Sequence, residues 1–348
     1  MKIGISGTGR IGRLLIRRAF SISHFGFETA VINTTVSIPN LIHLLKYDTV
    51  HGTWDADLNE AGDGITINGH HVKIISERDP ARIPWSALGI HTVVDATGKF
   101  NDRKGSGKHL ASGAERVVIT APGRDMDLTV VMGVNESNYE PAKHRLLSTA
   151  SCTTNCISPV LHILDQAFGV KQGWMSTVHA ITNDQNHMDN SHKDLRRARA
   201  CTSSIIPTTT GVSKALADVL PHLAPYIQGV SIRVPVQDVS LLDLQVEVGA
   251  QVTNADVKEA FLKAVQGPIG RYVEYNELPL VSSDYIGNEH SAVIDGLSVM
   301  TRGNQIKILA WYDNEWGYTC RVADFLDYIA THETSEQGGR KEWVKQSV

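Results

Sequence analysis

The chain opens with a short alternating strand, Lys2 to Ser6, that runs straight into Gly7-Thr8-Gly9-Arg10-Ile11-Gly12. A helical pattern follows at once, with Leu14, Leu15, Ala19 and Phe20 on one side. Strand, G-x-G-x-x-G turn and helix in immediate succession leave few folds open. The glycines permit a tight turn and the close approach of a pyrophosphate to the helix N-terminus, whose unpaired N–H groups favour an anion. A second strand, Glu28 to Asn33, ends about twenty residues on, the spacing expected of a βαβ unit. These residues predict a doubly wound sheet with a dinucleotide site at Gly7, Gly9, Arg10, Ile11 and Gly12. Further strand patterns at Val72–Ser76, His91–Ala96 and Arg116–Thr120 extend that sheet. The turns after them, including Thr120-Ala121-Pro122-Gly123, fall at its carboxyl edge, where a dinucleotide lies.

The second strand ends in Val31-Ile32-Asn33-Thr34-Thr35. An Asp or Glu ordinarily stands there to accept hydrogen bonds from the ribose hydroxyls of NAD. With Thr34 in its place, nothing acidic repels a 2′-phosphate, and no Arg close in sequence attracts one. Thr34 is equally compatible with a strand cap beside bound NAD. Arg78, after the Val72–Ser76 strand, is read either as flanking the adenine or as a solvated surface charge.

Further on, small and hydroxyl residues crowd a cysteine in Ser148-Thr149-Ala150-Ser151-Cys152-Thr153-Thr154-Asn155-Cys156, and an apolar run begins at Ile157. Ser151 and Thr153 are expected to cap a helix with Cys152 in its first turn, where the positive helix end favours a thiolate. Such a thiolate is a candidate nucleophile for a carbonyl carbon. The stretch alone fits a buried structural cysteine as well. From Lys171 the character changes. Trp174–Ala180 reads as a strand carrying His179. The basic stretch Asn190 to Arg199 and Pro207-Thr208-Thr209-Thr210-Gly211 follow, then a helix from Val212 to Leu220. Strands at Gln228–Val234, Ser240–Val248, Ala292–Leu297 and Lys307–Tyr312 predict a second sheet. Thr253 is expected to cap a helix over Asn254–Val265. A last helix is expected over Gly317–Thr331, with a loose polar tail from Glu333 to Val348.

A chain of 348 residues accommodates two domains, and 42% hydrophobic with 20% charged residues is the balance of a globular protein. A net charge of -4 gives no electrostatic footprint for nucleic acid or a membrane surface. No apolar run approaches the ~20 residues that span a bilayer. The N-terminus enters a strand pattern rather than a signal peptide, and four cysteines do not make a disulfide framework, so the expected compartment is the cytoplasm. The 15 histidines show no ligand spacing such as H-E-x-x-H, so metal catalysis is not expected.

Taken together, five motifs resemble those of the phosphorylating glyceraldehyde-3-phosphate dehydrogenases. They are Gly7-Thr8-Gly9-Arg10-Ile11-Gly12-Arg13, Ala150-Ser151-Cys152-Thr153-Thr154-Asn155, His192 to Arg199, Arg233-Val234-Pro235, and Trp311 to Tyr318. The resemblance covers about Lys2 to Ile329. It implies an α/β chain: an N-terminal Rossmann domain over 1–150 and an α+β catalytic domain with a mixed sheet over 151–316. It also implies a helix over 317–332 returning to the first domain, then the tail 333–348, and a homotetramer.

The same resemblance implies the chemistry. Cys152 attacks the aldehyde of glyceraldehyde 3-phosphate to give a hemithioacetal, hydride loss gives a thioester, and inorganic phosphate releases an acyl phosphate. His179 corresponds to the base beside the thiol; a thiolate–imidazolium pair is expected. Thr182 and Arg233 correspond to the substrate-phosphate site, with Asp184 orienting the arginine. Ser151, Thr153, Thr210 and Gly211 correspond to the inorganic-phosphate site, Arg197 stands between the two, and Asn314 corresponds to the residue fixing the nicotinamide. Two departures bear on the cofactor. Thr34 stands where NAD-preferring members carry Asp, and Ser191 where they carry Pro, in a loop reaching a neighbouring subunit's adenosine ribose. Both resemble the NADP-using branch, so NADP is expected to be favoured, with NAD possible. Two alternatives stand beside this reading: an erythrose-4-phosphate dehydrogenase, and a nucleotide-binding redox sensor or scaffold with little turnover.

Overall fold

The computed structural model describes the backbone of residues 1–345 and the side chains of residues 1–332. The chain divides into two compact units. The first comprises Met1–Val130, Glu136–Thr149 and the C-terminal helix from Thr319; the second comprises Val131–Asn135 and Ala150–Tyr318.

The first unit is built on a nine-stranded sheet. Its spatial order is Leu128–Thr129, Leu146–Ser148, Arg116–Ile119, Thr92–Asp95, Lys2–Ser6, Glu28–Asn33, His70–Ile75, Gly64–Ile67 and Leu58–Ala61. Strands are parallel from the first edge through His70–Ile75, and the last two pair antiparallel. Thr92–Asp95 and Arg116–Ile119 are buried at every residue, as strands covered on both faces must be. The order reverses between Lys2–Ser6 and Thr92–Asp95, and a crevice opens at the carboxyl ends beside such a reversal. The helix Arg10–Ser21 starts there and buries Leu14, Leu15 and Ile16.

The second unit carries a mixed eight-stranded sheet. Its order is Ile206–Thr208, Ile227–Arg233, Val170–His179, Ser240–Val248, Gln305–Tyr312, Ala292–Asp295 and Val273–Asn276, with Met300–Arg302 beside Gln305–Tyr312. Ser240–Val248 and Gln305–Tyr312 alternate strictly between buried and less buried residues, so one face of the sheet makes the core. Onto that core packs the helix Cys152–Phe168, buried from Thr153 through Leu161 and closed by Gly169 in the left-handed conformation (φ 68°).

The last helix differs from the sequence expectation. It runs Trp316–Lys345, past the Thr331 end, so the stretch from Glu333 to Lys345 expected as a loose tail has a helical backbone; residues 346–348 lie outside the described residues. Within the first unit this helix is tied in by Asp327, whose Oδ1 accepts from Gly26 N–H at 2.6 Å, and by Phe325 edge-on to Tyr139.

Candidate functional site: a glycine-turn cleft and a helix-borne thiol

In the first unit a cleft of about 550 Å³ opens at the glycine turn, lined by Gly7, Thr8, Gly9, Asn33, Thr34, Arg78, Thr97 and Lys99 among others. Gly7 holds φ +98°, and a Cβ there would meet the Ala96–Thr97 backbone at 2.8 Å. A Cβ on Gly12 would lie 2.1 Å from the Gly7 carbonyl oxygen, so both positions need glycine for the helix to meet the sheet. Nothing lies within 4 Å of a Cβ built on Gly9, which opens onto the cleft. Gly9 is also the N-cap of the first helix, with no side-chain cap and no acidic residue in the first turn. The helix therefore presents its N–H groups to the cleft without a competing carboxylate, as a pyrophosphate requires.

The opposite wall is braced from below. Asp95 Oδ1 accepts from the N–H and Oγ1 of Thr97 at 2.8 and 2.6 Å, and Oδ2 lies 3.2 Å from His109 Nε2. His109 Nδ1 accepts from Trp85 Nε1–H at 2.9 Å, which places the ring proton on Nε2 facing Asp95. Thr34 is 3% exposed. Its hydroxyl touches that of Thr8 at 2.6 Å and accepts from Val36 N–H at 3.2 Å. No Arg is close to Thr34 in sequence, yet Arg78 and Lys99 line the same cleft, brought in by the turns after neighbouring strands; for Arg78 this agrees with the reading that it flanks the adenine. Arg10 and Ile11 stand in the first helical turn, with the Arg10 guanidinium on Asp48, and Thr120 Oγ1 donates to Asp95 O at 3.4 Å.

In the second unit Ser151 is the N-cap of the helix Cys152–Phe168, its Oγ accepting from Thr154 N–H at 3.0 Å. Thr153 does not share that role: its hydroxyl bonds to the Tyr312 hydroxyl at 3.0 Å instead. Ala150, just before the cap, holds φ +56°, a left-handed conformation costly for a residue with a Cβ. The Tyr318 hydroxyl donates to its carbonyl at 3.1 Å and helps hold it there. Half-buried Cys152 then lies in the first turn with Sγ 3.5 Å from His179 Nε2.

His179 stands at the end of its strand and is buried. Its Nδ1 lies 2.7 Å from Ala180 O, and Arg233 Nη1 lies 3.0 Å from the same oxygen. Arg233 Nη1 is also 2.8 Å from Nδ1 itself. A neutral ring carries its proton either on Nδ1, donating to Ala180 O, or on Nε2, with Nδ1 accepting from Arg233. In the first tautomer Nε2 presents its lone pair to the thiol. Burial, and secondly the Arg233 charge, lower the imidazole pKa to about 3. Burial raises the Cys152 thiol, opposed by Arg233 and the hydrogen bonds at the helix start. Burial thus works against the expected thiolate–imidazolium pair on both partners, while Arg233 and the hydrogen bonds at the helix start work for the thiolate.

Around this pair, Arg233 Nη1 lies 3.5 Å from Thr182 Oγ1, and burial lowers the guanidinium pKa. Asp184 pairs with Arg197 rather than orienting Arg233, and Arg197 Nε also donates to Thr208 Oγ1 at 3.0 Å. Thr210 and Gly211 precede the helix Val212–Val219, with Gly211 as its N-cap and Thr210 Oγ1 accepting from Val212 N–H at 3.4 Å. Asn314 Oδ1 accepts from Ser240 Oγ at 2.6 Å. Ser191 is exposed, its N–H donating to Asn190 Oδ1 at 2.7 Å. Sequence reasoning missed Tyr312, whose hydroxyl bridges Thr153 and Thr177 at 3.0 and 2.7 Å, and missed Thr8 and Lys99 in the cleft.

A Rossmann unit with a glycine-turn cleft and a second unit holding a thiol against an imidazole define the class of dinucleotide-dependent, thiol-using oxidoreductases. Comparison with known proteins narrows it. The family profile described as "Glyceraldehyde 3-phosphate dehydrogenase, NAD binding domain" matches residues 1–103, and that described as "Glyceraldehyde 3-phosphate dehydrogenase, C-terminal domain" matches residues 151–314. The chain is 49% identical over 331 residues to glyceraldehyde-3-phosphate dehydrogenase 2 of Bacillus subtilis, covering 95% of this chain and 97% of the relative. It is 48% identical to glyceraldehyde-3-phosphate dehydrogenase 1 of Bacillus cereus and 45% to the glyceraldehyde-3-phosphate dehydrogenase of Geobacillus stearothermophilus, each covering 95% of this chain and 98% of the relative. The chain belongs to the glyceraldehyde-3-phosphate dehydrogenase family.

Proposed function

We propose that the protein is a phosphorylating glyceraldehyde-3-phosphate dehydrogenase that uses NADP in preference to NAD. The observation that carries the chemistry is Cys152 Sγ at 3.5 Å from His179 Nε2, with Arg233 beside the same imidazole. The sulfur adds to the aldehyde carbon as its proton passes to Nε2, giving a hemithioacetal. The cofactor, whose pyrophosphate the glycine turn holds, supplies the hydride acceptor when bound. What remains on Cys152 is a thioester. Inorganic phosphate attacks that carbonyl, the carbon–sulfur bond breaks, and 1,3-bisphosphoglycerate leaves. The steps are reversible.

Arg233 and Thr182 bind the substrate phosphate, and the planar guanidinium suits its oxygens. Ser151, Thr153, Thr210 and Gly211 take the attacking phosphate, with Arg197 between the two sites. The cofactor preference rests on Thr34 and on the cations Arg78 and Lys99 in its cleft, with Ser191 as a further hydroxyl. The reading extends to a homotetramer in the cytoplasm, with no nucleic-acid or membrane partner. Exposed Trp174 and Val230, at 67% and 51% on adjacent strands, support an interface there. Among the described residues no helix is long and apolar enough to cross a membrane.

Steady-state rates with glyceraldehyde 3-phosphate, with and without inorganic phosphate, test the reading with each cofactor. Phosphate-dependent turnover with a higher kcat/KM for NADP is expected. A strong NAD preference overturns the cofactor assignment. A phosphate-independent rate that is faster with erythrose 4-phosphate overturns the substrate assignment.

A further inference from the structure

The residue at the end of the second strand of a dinucleotide-binding sheet reads the ribose 2′ position. Thr34 occupies that place, immediately after Glu28–Asn33, and its hydroxyl does not act alone. Thr8, inside the glycine turn, sets Oγ1 at 2.6 Å from Thr34 Oγ1. Arg13 Nη1 donates to Thr8 O at 2.8 Å and holds the turn in place. Both threonines are buried, at 9% and 3% exposure, yet both line the cleft.

Two touching hydroxyls own two protons, and only one can lie between the oxygens. Whichever oxygen donates inside the pair, the other O–H is directed out of it. Thr34 Oγ1 also spends an acceptor position on Val36 N–H at 3.2 Å, which turns the pair further toward donating. A carboxylate at this place accepts from a ribose diol and repels a phosphomonoester. A hydroxyl pair offers a donor and no charge, which suits phosphate oxygens.

The charges around the pair agree with this. Arg78 and Lys99 are exposed on the walls of the cleft, and among the described residues neither pairs with a carboxylate. The acid among the lining residues is Glu77, whose Oε1 is engaged by Asp79 N–H at 2.9 Å. Asn33 is engaged too: its amide donates to Ser6 Oγ and Glu77 O and accepts from Glu77 N–H.

We propose that Thr8 is a specificity-determining residue: with Thr34 it forms a two-hydroxyl seat for a phosphomonoester on the 2′-oxygen of adenosine ribose, and Arg78 and Lys99 supply the counter-charge. This rests on the NADP reading above and assigns the discrimination to the glycine turn as well as to the strand end.

Calorimetric titration with ADP-ribose and with 2′-phospho-ADP-ribose tests it, since neither probe carries a nicotinamide and no turnover is read. The wild-type chain is expected to bind the 2′-phosphorylated probe more tightly; equal or weaker binding overturns the NADP reading and the seat together. Thr8→Val keeps the shape and removes the hydroxyl. It is expected to weaken the phosphorylated probe about tenfold, the scale of one hydrogen bond to a charged group, and to leave ADP-ribose within about twofold. Thr8→Ser retains the wild-type ratio. Lys99→Gln, on the exposed wall, lowers only the phosphorylated probe's affinity. A Thr8→Val chain that loses both probes equally, or neither, overturns the role of Thr8 while leaving the wild-type preference standing.

Discussion

Replacing Tyr312 by Phe removes one oxygen from the centre of the second unit. Tyr312 is 2% exposed, and its hydroxyl bridges Thr153, in the turn that carries the thiol, to Thr177, in the strand that carries the imidazole. Its ring meets His179 edge-on at 6.1 Å, a contact that phenylalanine keeps. The substitution thus leaves packing intact and deletes two hydrogen bonds. Each is worth about 0.5–1.5 kcal/mol net, and an orphaned buried hydroxyl costs about 1–3 kcal/mol. Thr153 and Thr177 are 6% and 1% exposed, so water does not readily replace the lost partner. A threonine hydroxyl can turn to a nearby carbonyl, which keeps the sum near the low end, about 2 kcal/mol. For a domain of this size each kcal/mol moves the Tm by about 2–4 °C, so a fall of about 4–8 °C is expected. Scanning calorimetry at matched protein concentration, with and without dinucleotide, measures it. A Tm within about 1 °C of wild type would refute the claim that this hydroxyl joins the turn of Cys152 to the strand of His179.

Two further substitutions test separate parts of the structure. Gly12→Ala places a Cβ 2.1 Å from the Gly7 carbonyl oxygen and forces the turn outward; ADP-ribose affinity should fall at least about tenfold while the second unit keeps its thermal transition, and unchanged calorimetric affinity would contradict the close packing. Asp238 is buried beside Asp313 and Glu315, and burial first, then those charges, raise its carboxyl from 3.8 to about 9. Between those values the folded state keeps a proton that the unfolded state has lost. Stability from this group is therefore full below the unfolded value and declines as pH rises toward the folded one. Asp238→Asn should remove that decline. Urea midpoints at several pH values from 5 to 9 should show the variant gaining on wild type as pH rises, and a constant difference would refute the shift.

The parts of this protein that were legible in its sequence are those decided within a few residues. Gly7 and Gly12 are required by contacts at one turn, and Ser151 caps its helix through an N–H three residues on, so spacing alone revealed both. The alternation of Ser240–Val248 follows from having one face on the core. Thr153 looked like a cap by the same local rule and is not one, because a hydroxyl 159 residues away takes its hydrogen bond. Lys99 was invisible beside Thr34 for a related reason: their strands stand on either side of Lys2–Ser6, and sheet order, not sequence distance, brings their carboxyl-end turns to one cleft. Asp184, placed beside Arg233 by resemblance, has its ion pair with Arg197 and reaches Arg233 only through its charge, a choice of partner made by geometry. The charge on the thiol is set by more than its motif. Capping and helix polarity are short-range and favour a thiolate, but the opposing desolvation is imposed by the packing around Cys152 and His179, to which a local motif is blind. On the proposed mechanism the imidazole is the base that receives the thiol proton during attack. The contact of Cys152 with His179 agrees with what the motifs imply, while the balance of charge between them belongs to the fold.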